Sequence, residues 1–128
     1  PLDDRRAELV DRASIDRLGR ACGRHLGVED QLLHRGGAAS AEIGEGAQLL
    51  ARSVVGPGAA VGPNSLVNTA AVVEHGCRVG AHVHFAPGVV LSGGVAVGDG
   101  CHLGTGCVVI QNVAVGAGCV VGAGAVVI

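Results

Sequence analysis

Histidine is the side chain best suited to take and return a proton near neutral pH, and His75 has the setting for it. It ends the run Asn68-Thr69-Ala70-Ala71-Val72-Val73-Glu74-His75, a cluster of polar residues in an otherwise aliphatic stretch, with His82 and His84 just beyond. It falls two places after a large aliphatic residue. That position is held elsewhere mainly by Pro, Ala, Thr and acids, so His75 is expected to project from a corner as a general base. His84 and His102 are 18 residues apart and are expected to stack as outward-facing rings. No Ser or Cys is placed as an activated nucleophile. His25 and His34 read as surface residues.

These residues are carried by a repeat of six. Large apolar anchors recur at Ile43, Leu49, Val55, Val61, Val67, Val73, Val79, Phe85, Leu91, Val97, Leu103, Val109, Val115 and Val121. Four places after each anchor stands a small or β-branched residue, from Ala47 and Ser53 through Cys77 and Cys101 to Cys119 and Ala125. Gly commonly follows the anchor, and is expected to supply the dihedrals of the corners. Each hexad is then one short strand and one tight corner, and three hexads close a triangular coil of about 18 residues. Anchors would point inward as aliphatic ladders, with the small residues filling the narrow parts of the prism. Cys77, Cys101, Cys107 and Cys119 hold the small position and read as compact hydrophobes rather than nucleophiles.

The composition fits this design and excludes others. The 128 residues are 48% hydrophobic but include one aromatic, Phe85, no Met and no Lys, against 23 Gly. An ordinary globular core draws on large aromatic side chains, whereas a narrow stacked prism cannot use them repeatedly. Neither part of the chain is strongly basic and base-stacking aromatics are nearly absent, so nucleic acid is not an expected partner. No long apolar run predicts a membrane span, and the charged start is not a signal peptide, so a cytoplasmic protein is expected. Five Cys without CxxC spacing disfavour a disulfide framework or a zinc site.

Residues 1–40 differ in kind. Ile15, Leu18, Cys22 and Leu26 follow a helical stripe between Asp3 and Leu26, Gly27 makes a stop, Gln31–His34 read as a short strand and Arg35–Gly37 as a linker. One helix and one strand cannot form a core, so this segment reads as the remainder of a larger α/β domain or a cap on the first coil. Residues 41–128 form the repeat domain.

The hexads resemble those of left-handed parallel β-helices, predicting an all-β solenoid of about 4.7 coils preceded by a short α/β remnant. The segment NTAAVVEHGCRVGAHVHFAPGVV, Asn68 to Val90, is similar to the acetyltransferases that modify bacterial sugars, the sialic acid O-acetyltransferase and UDP-4-amino-sugar N-acetyltransferase group of the hexapeptide superfamily. The resemblance implies an acetyl-CoA-dependent transferase acting on an amine or hydroxyl of a sugar or nucleotide-sugar, as a homotrimer with sites between prisms. It makes His75 the general base, with His84 and Gly93 beside acetyl-CoA near the thioester. Thr105 and Ala123 would line the pantetheine and nucleotide channel, and Asn68 and Thr69 would contact substrate. Acetyl-CoA is the implied co-substrate.

Two departures from the group stand out. Relatives often carry an acid after the catalytic His, where this chain has Gly76, and they begin with a Rossmann-like domain whose Gly-rich loop holds the nucleotide-sugar, of which residues 1–40 retain no G-x-G. These features favour a second reading, a non-catalytic trimeric scaffold or enzyme remnant. A third reading is a metal site on His75, His84 and His102, as in proteins resembling γ-class carbonic anhydrases. Those enzymes space two His ligands five residues apart, and no His pair here has that spacing, so no metal is expected.

Overall fold

A computed structural model describes residues 40–128, and this part is a parallel β-solenoid. The helix, strand and linker expected before residue 40, with Cys22, His25 and His34, lie outside the described residues.

Fifteen two-residue strands, β1 to β15, recur every six residues from Glu42–Ile43 to Val126–Val127. Each pairs in parallel with the strand three further on, so they sort into three five-stranded faces. The first face holds β1 (Glu42–Ile43), β4 (Ala60–Val61), β7 (Arg78–Val79), β10 (Ala96–Val97) and β13 (Ala114–Val115). On the second are β2 (Gln48–Leu49), β5 (Leu66–Val67), β8 (His84–Phe85), β11 (His102–Leu103) and β14 (Val120–Val121). The third comprises β3 (Val54–Val55), β6 (Val72–Val73), β9 (Val90–Leu91), β12 (Val108–Val109) and β15 (Val126–Val127). The solenoid thus has five coils, and the 18-residue register holds without a slip: Val61 pairs with Val79, Val67 with Phe85 and Val73 with Leu91.

The second residue of each strand is the anchor, and it turns inward. Leu49, Val55, Val67, Val73, Phe85, Leu91, Leu103 and Val109 are buried in one continuous core with the small-position residues Ala59, Ala71, Cys77, Val83, Val89, Val95, Cys101 and Cys107. Phe85, the largest of them, is fully enclosed. Cys119 departs from the expectation. It is exposed, in the last of the described coils.

Ser65, Cys77 and Cys101 at the small position do more than fill space, whereas Ser53 Oγ is buried without a hydrogen-bond partner among the described residues. Ser65 Oγ donates to the Gly80 carbonyl at 2.9 Å, Cys77 Sγ to the Ser92 carbonyl at 3.2 Å and Cys101 Sγ to the Gly116 carbonyl at 3.0 Å. Each ties its coil to the carbonyl opening the next corner, satisfying a buried polar group that an Ala would leave alone. Burial raises the thiol pKa of Cys77, Cys101 and Cys107, which keeps all three neutral.

The corners correct the reading of glycine. They are turns with positive φ at the third residue after the anchor, where Gly46 has φ 71° and Gly106 68°, and the same conformation is held by Arg52, Ala70, His82 and Asn112. The glycine directly after the anchor is not in that region. It is there for space: a Cβ on Gly62 would meet the Gly80 carbonyl carbon and oxygen at 2.4 Å.

Candidate active site

His75 stands on the corner linking β6 to β7, at the edge between the third and first faces, and is exposed. Stacking carries the corner of the next coil directly against it. The Gly94 N–H donates to the His75 carbonyl at 2.9 Å, and the His75 ring spreads over Gly93. The expectation that His75 projects from a corner thus holds, and the structure joins it to Gly93, which the sequence singled out separately. The Gly93 N–H donates to no described residue, so the base has an uncommitted backbone donor next to it.

Nothing among the described residues hydrogen-bonds the imidazole of His75. Glu74 Oε2 instead accepts from the His75 backbone N–H, at 3.4 Å. Gly76 has φ 66°, and a Cβ there would meet no atom within 4 Å.

His84 begins β8 on the second face and pairs in register with His102 of β11. The two rings keep the spacing of adjacent strands but do not lie parallel. Their centroids are 4.7 Å apart, inclined at 64°, and Nδ1 faces Nδ1 at 3.0 Å. Burial, and secondly the neighbouring His102, lower the His84 pKa to about 4; burial lowers that of His102. His84 Nε2 is itself buried and meets no hydrogen-bonding group of the described residues.

Asn68, Thr69, Thr105 and Ala123 all fall on the edge between the second and third faces. Thr69, Thr105 and Ala123 share the second corner position, with Thr69 and Thr105 carbonyls accepting from Gly88 and Gly124 at 3.0 and 2.8 Å. Asn68 Oδ1 accepts from the Thr69 N–H at 2.7 Å and from its hydroxyl at 3.3 Å. The residues expected to line a cofactor channel therefore form one column, and that column flanks the face bearing His84.

The sequence residues thus separate into two groups. His75 and Gly93 occupy one edge; His84, His102, Asn68, Thr69, Thr105 and Ala123 occupy the opposite face and one of its borders. In a three-sided prism the edge between the third and first faces does not touch the second face. No single chain turns His75 and His84 toward the same point, and the three histidines considered for a metal are not brought together. Among the described residues no group of three or more His, Cys, Asp or Glu is placed to hold a metal ion, and no helix is long and apolar enough to cross a membrane. The 18-residue separation of His84 and His102 predicts stacked rings; the structure instead sets them edge to face with their Nδ1 atoms opposed.

No family model and no curated protein matches the chain. Solved structures do. Perosamine N-acetyltransferase from Caulobacter crescentus, solved with CoA and GDP-perosamine, is 40% identical with a TM-score of 0.72, covering 73% of this chain and 45% of its own. The acetyltransferase domain of PglB from Neisseria gonorrhoeae is 40% identical with a TM-score of 0.71, covering 73% and 46%, and its complex with acetyl coenzyme A is 37% identical at 0.68. The chain spans less than half the length of these neighbours.

Proposed function

We propose that this chain, which belongs to the hexapeptide-repeat β-helix family, transfers an acetyl group directly from acetyl-CoA to an amine or hydroxyl of a sugar or nucleotide-sugar. The observation that carries this is the His75 corner: an exposed imidazole seated on Gly93, beside an uncommitted backbone N–H. It is supported by the neighbours crystallised with CoA, acetyl-CoA and a nucleotide-sugar.

The chemistry follows from these groups. Neutral His75 accepts the proton of the acceptor amine or hydroxyl as its nitrogen or oxygen bonds to the thioester carbon. Negative charge gathers on the former carbonyl oxygen, where donors such as the Gly93 N–H and the ring of His84 stabilise it. The C–S bond then breaks, CoA leaves as the thiolate, and the imidazolium of His75 returns the proton to sulfur. Asn68 and Thr69 contact the acceptor, and Thr105 and Ala123 line the pantetheine and nucleotide course along the prism.

Because His75 and His84 lie on an edge and the face opposite, both reach one thioester only if they come from different copies. A homotrimer in which the His75 edge of one prism meets the His84 face of the next satisfies this. The outward row Val54, Val72, Val90 and Val108 on the third face supplies apolar surface for such packing. In this reading residues 1–40 are the later part of a Rossmann-like substrate domain, residues 41–128 are the acetyltransferase domain, and the enzyme works in the cytoplasm. The lack of a described partner for the His75 ring favours the second reading, a non-catalytic scaffold.

His75→Ala separates the two. It should lower turnover about 100-fold or more while calorimetry still registers acetyl-CoA binding. Unchanged turnover would remove His75 from the mechanism, and absence of acetyl-CoA binding by the unaltered protein would favour the scaffold.

A further inference from the structure

The pair on the second face holds information beyond the proposed chemistry. His84 and His102 approach through like atoms, Nδ1 to Nδ1 at 3.0 Å. At that distance one nitrogen must carry a hydrogen and the other must offer its lone pair. Two protonated rings would direct N–H against N–H, and burial already disfavours charge on either. The pair is therefore neutral with opposite tautomers. The outward residues bordering it on that face are Leu66 and Val120, neither of which has a polar side chain to alter the choice.

Only two arrangements remain. If His84 donates from Nδ1, its buried Nε2 is a bare lone pair. If His102 donates, His84 Nε2 bears the hydrogen. A buried polar atom without a protein partner calls for a ligand partner, and an acyl carbonyl oxygen can only accept. The second arrangement alone is complementary to it.

We propose that His102 is a positioning residue: its Nδ1–H holds His84 with the proton on Nε2, making that buried nitrogen the hydrogen-bond donor for the carbonyl oxygen of the acyl group. The inference rests on the acetyltransferase reading for the identity of the ligand, but the tautomer it assigns belongs to the free protein and is measured without turnover.

The test is a long-range 15N–1H correlation spectrum of the full chain labelled at histidine, near neutral pH, with signals assigned by His84→Gln and His102→Leu. His102 should be protonated at Nδ1 and His84 at Nε2. His102→Asn, whose side-chain amide nitrogen takes the place of Nδ1, should preserve the His84 pattern and keep kcat/KM for acetyl-CoA within about threefold. His102→Leu should scramble the tautomer and lower kcat/KM about tenfold, less than the 10²–10³-fold typical of deleting an oxyanion donor outright. His84 protonated at Nδ1 in the unaltered chain overturns the proposal, as does a His102→Leu protein with unchanged spectrum and kinetics. Reversed tautomers with normal turnover would sink this proposal alone; a protein that does not bind acetyl-CoA would sink the acetyltransferase reading, and the acyl ligand with it.

Discussion

No side chain fits between His75 and Gly93: a β-carbon on Gly93 would stand 2.4 Å from Nε2 and 2.5 Å from Cε1 of the imidazole. Gly93 lacks the positive φ of the corner glycines, so Ala is allowed there by the backbone and refused only by the ring. Gly93→Ala should leave the fold standing and push His75 aside. We expect a fall of about 10²-fold in kcat, in line with losing a positioned base, with little change in thermal midpoint. Equal kcat in the two proteins would show that the ring position is not used.

Two glycines test the two roles that glycine plays in the solenoid. Gly62 is pressed against the Gly80 backbone, whereas Gly106 has φ 68° and open space where a Cβ would go. Gly106→Ala should cost about 1–2 kcal/mol, the left-handed penalty for an L-residue, a conformation Ala70 already adopts at φ 57°. Gly62→Ala must separate two coils and should cost about 3 kcal/mol or more, at the upper end for overpacking. Urea midpoints of the two variants should rank them in that order.

The paired histidines make stability depend on pH. Folding lowers the His84 pKa from 6.5 to about 4, mainly through burial, so between those values the unfolded chain binds more protons. Stability is then fully present above about 6.5 and declines as pH falls toward about 4. His102, also lowered by burial, acts in the same direction. Thermal midpoints should drop on acidification through this window, and the drop should be shallower in a His84→Gln, His102→Gln double variant. Parallel curves for the two proteins would assign the dependence to other groups.

The described thiols should differ sharply in reactivity. Cys77, Cys101 and Cys107 are buried with raised pKa, while Cys119 is exposed. A short pulse of iodoacetamide on the native protein, followed by peptide mass mapping, should mark Cys119 and spare the other three. Labelling of Cys77 at a rate equal to that of Cys119 would mean that the coils open readily.

The hexad spacing was enough to read the solenoid, because each coil meets only its neighbours and an aliphatic ladder tolerates no slip in a period of six. Phe85 as an interior anchor, His75 as a corner residue and the in-register pairing of His84 with His102 all follow from position within the hexad. Spacing places Gly62 directly after its anchor and Gly106 two positions further on, but it leaves open that the first is needed for room and the second for a left-handed backbone, since that depends on how closely adjacent coils approach. It is equally silent on the facing Nδ1 atoms of His84 and His102, which depend on ring rotation, and on the seating of His75 over Gly93. The separation of His75 from His84 also belongs to the folded prism. Residues nine apart along the chain are carried through one and a half hexads, and three-sided winding turns that short interval into opposite sides of the molecule.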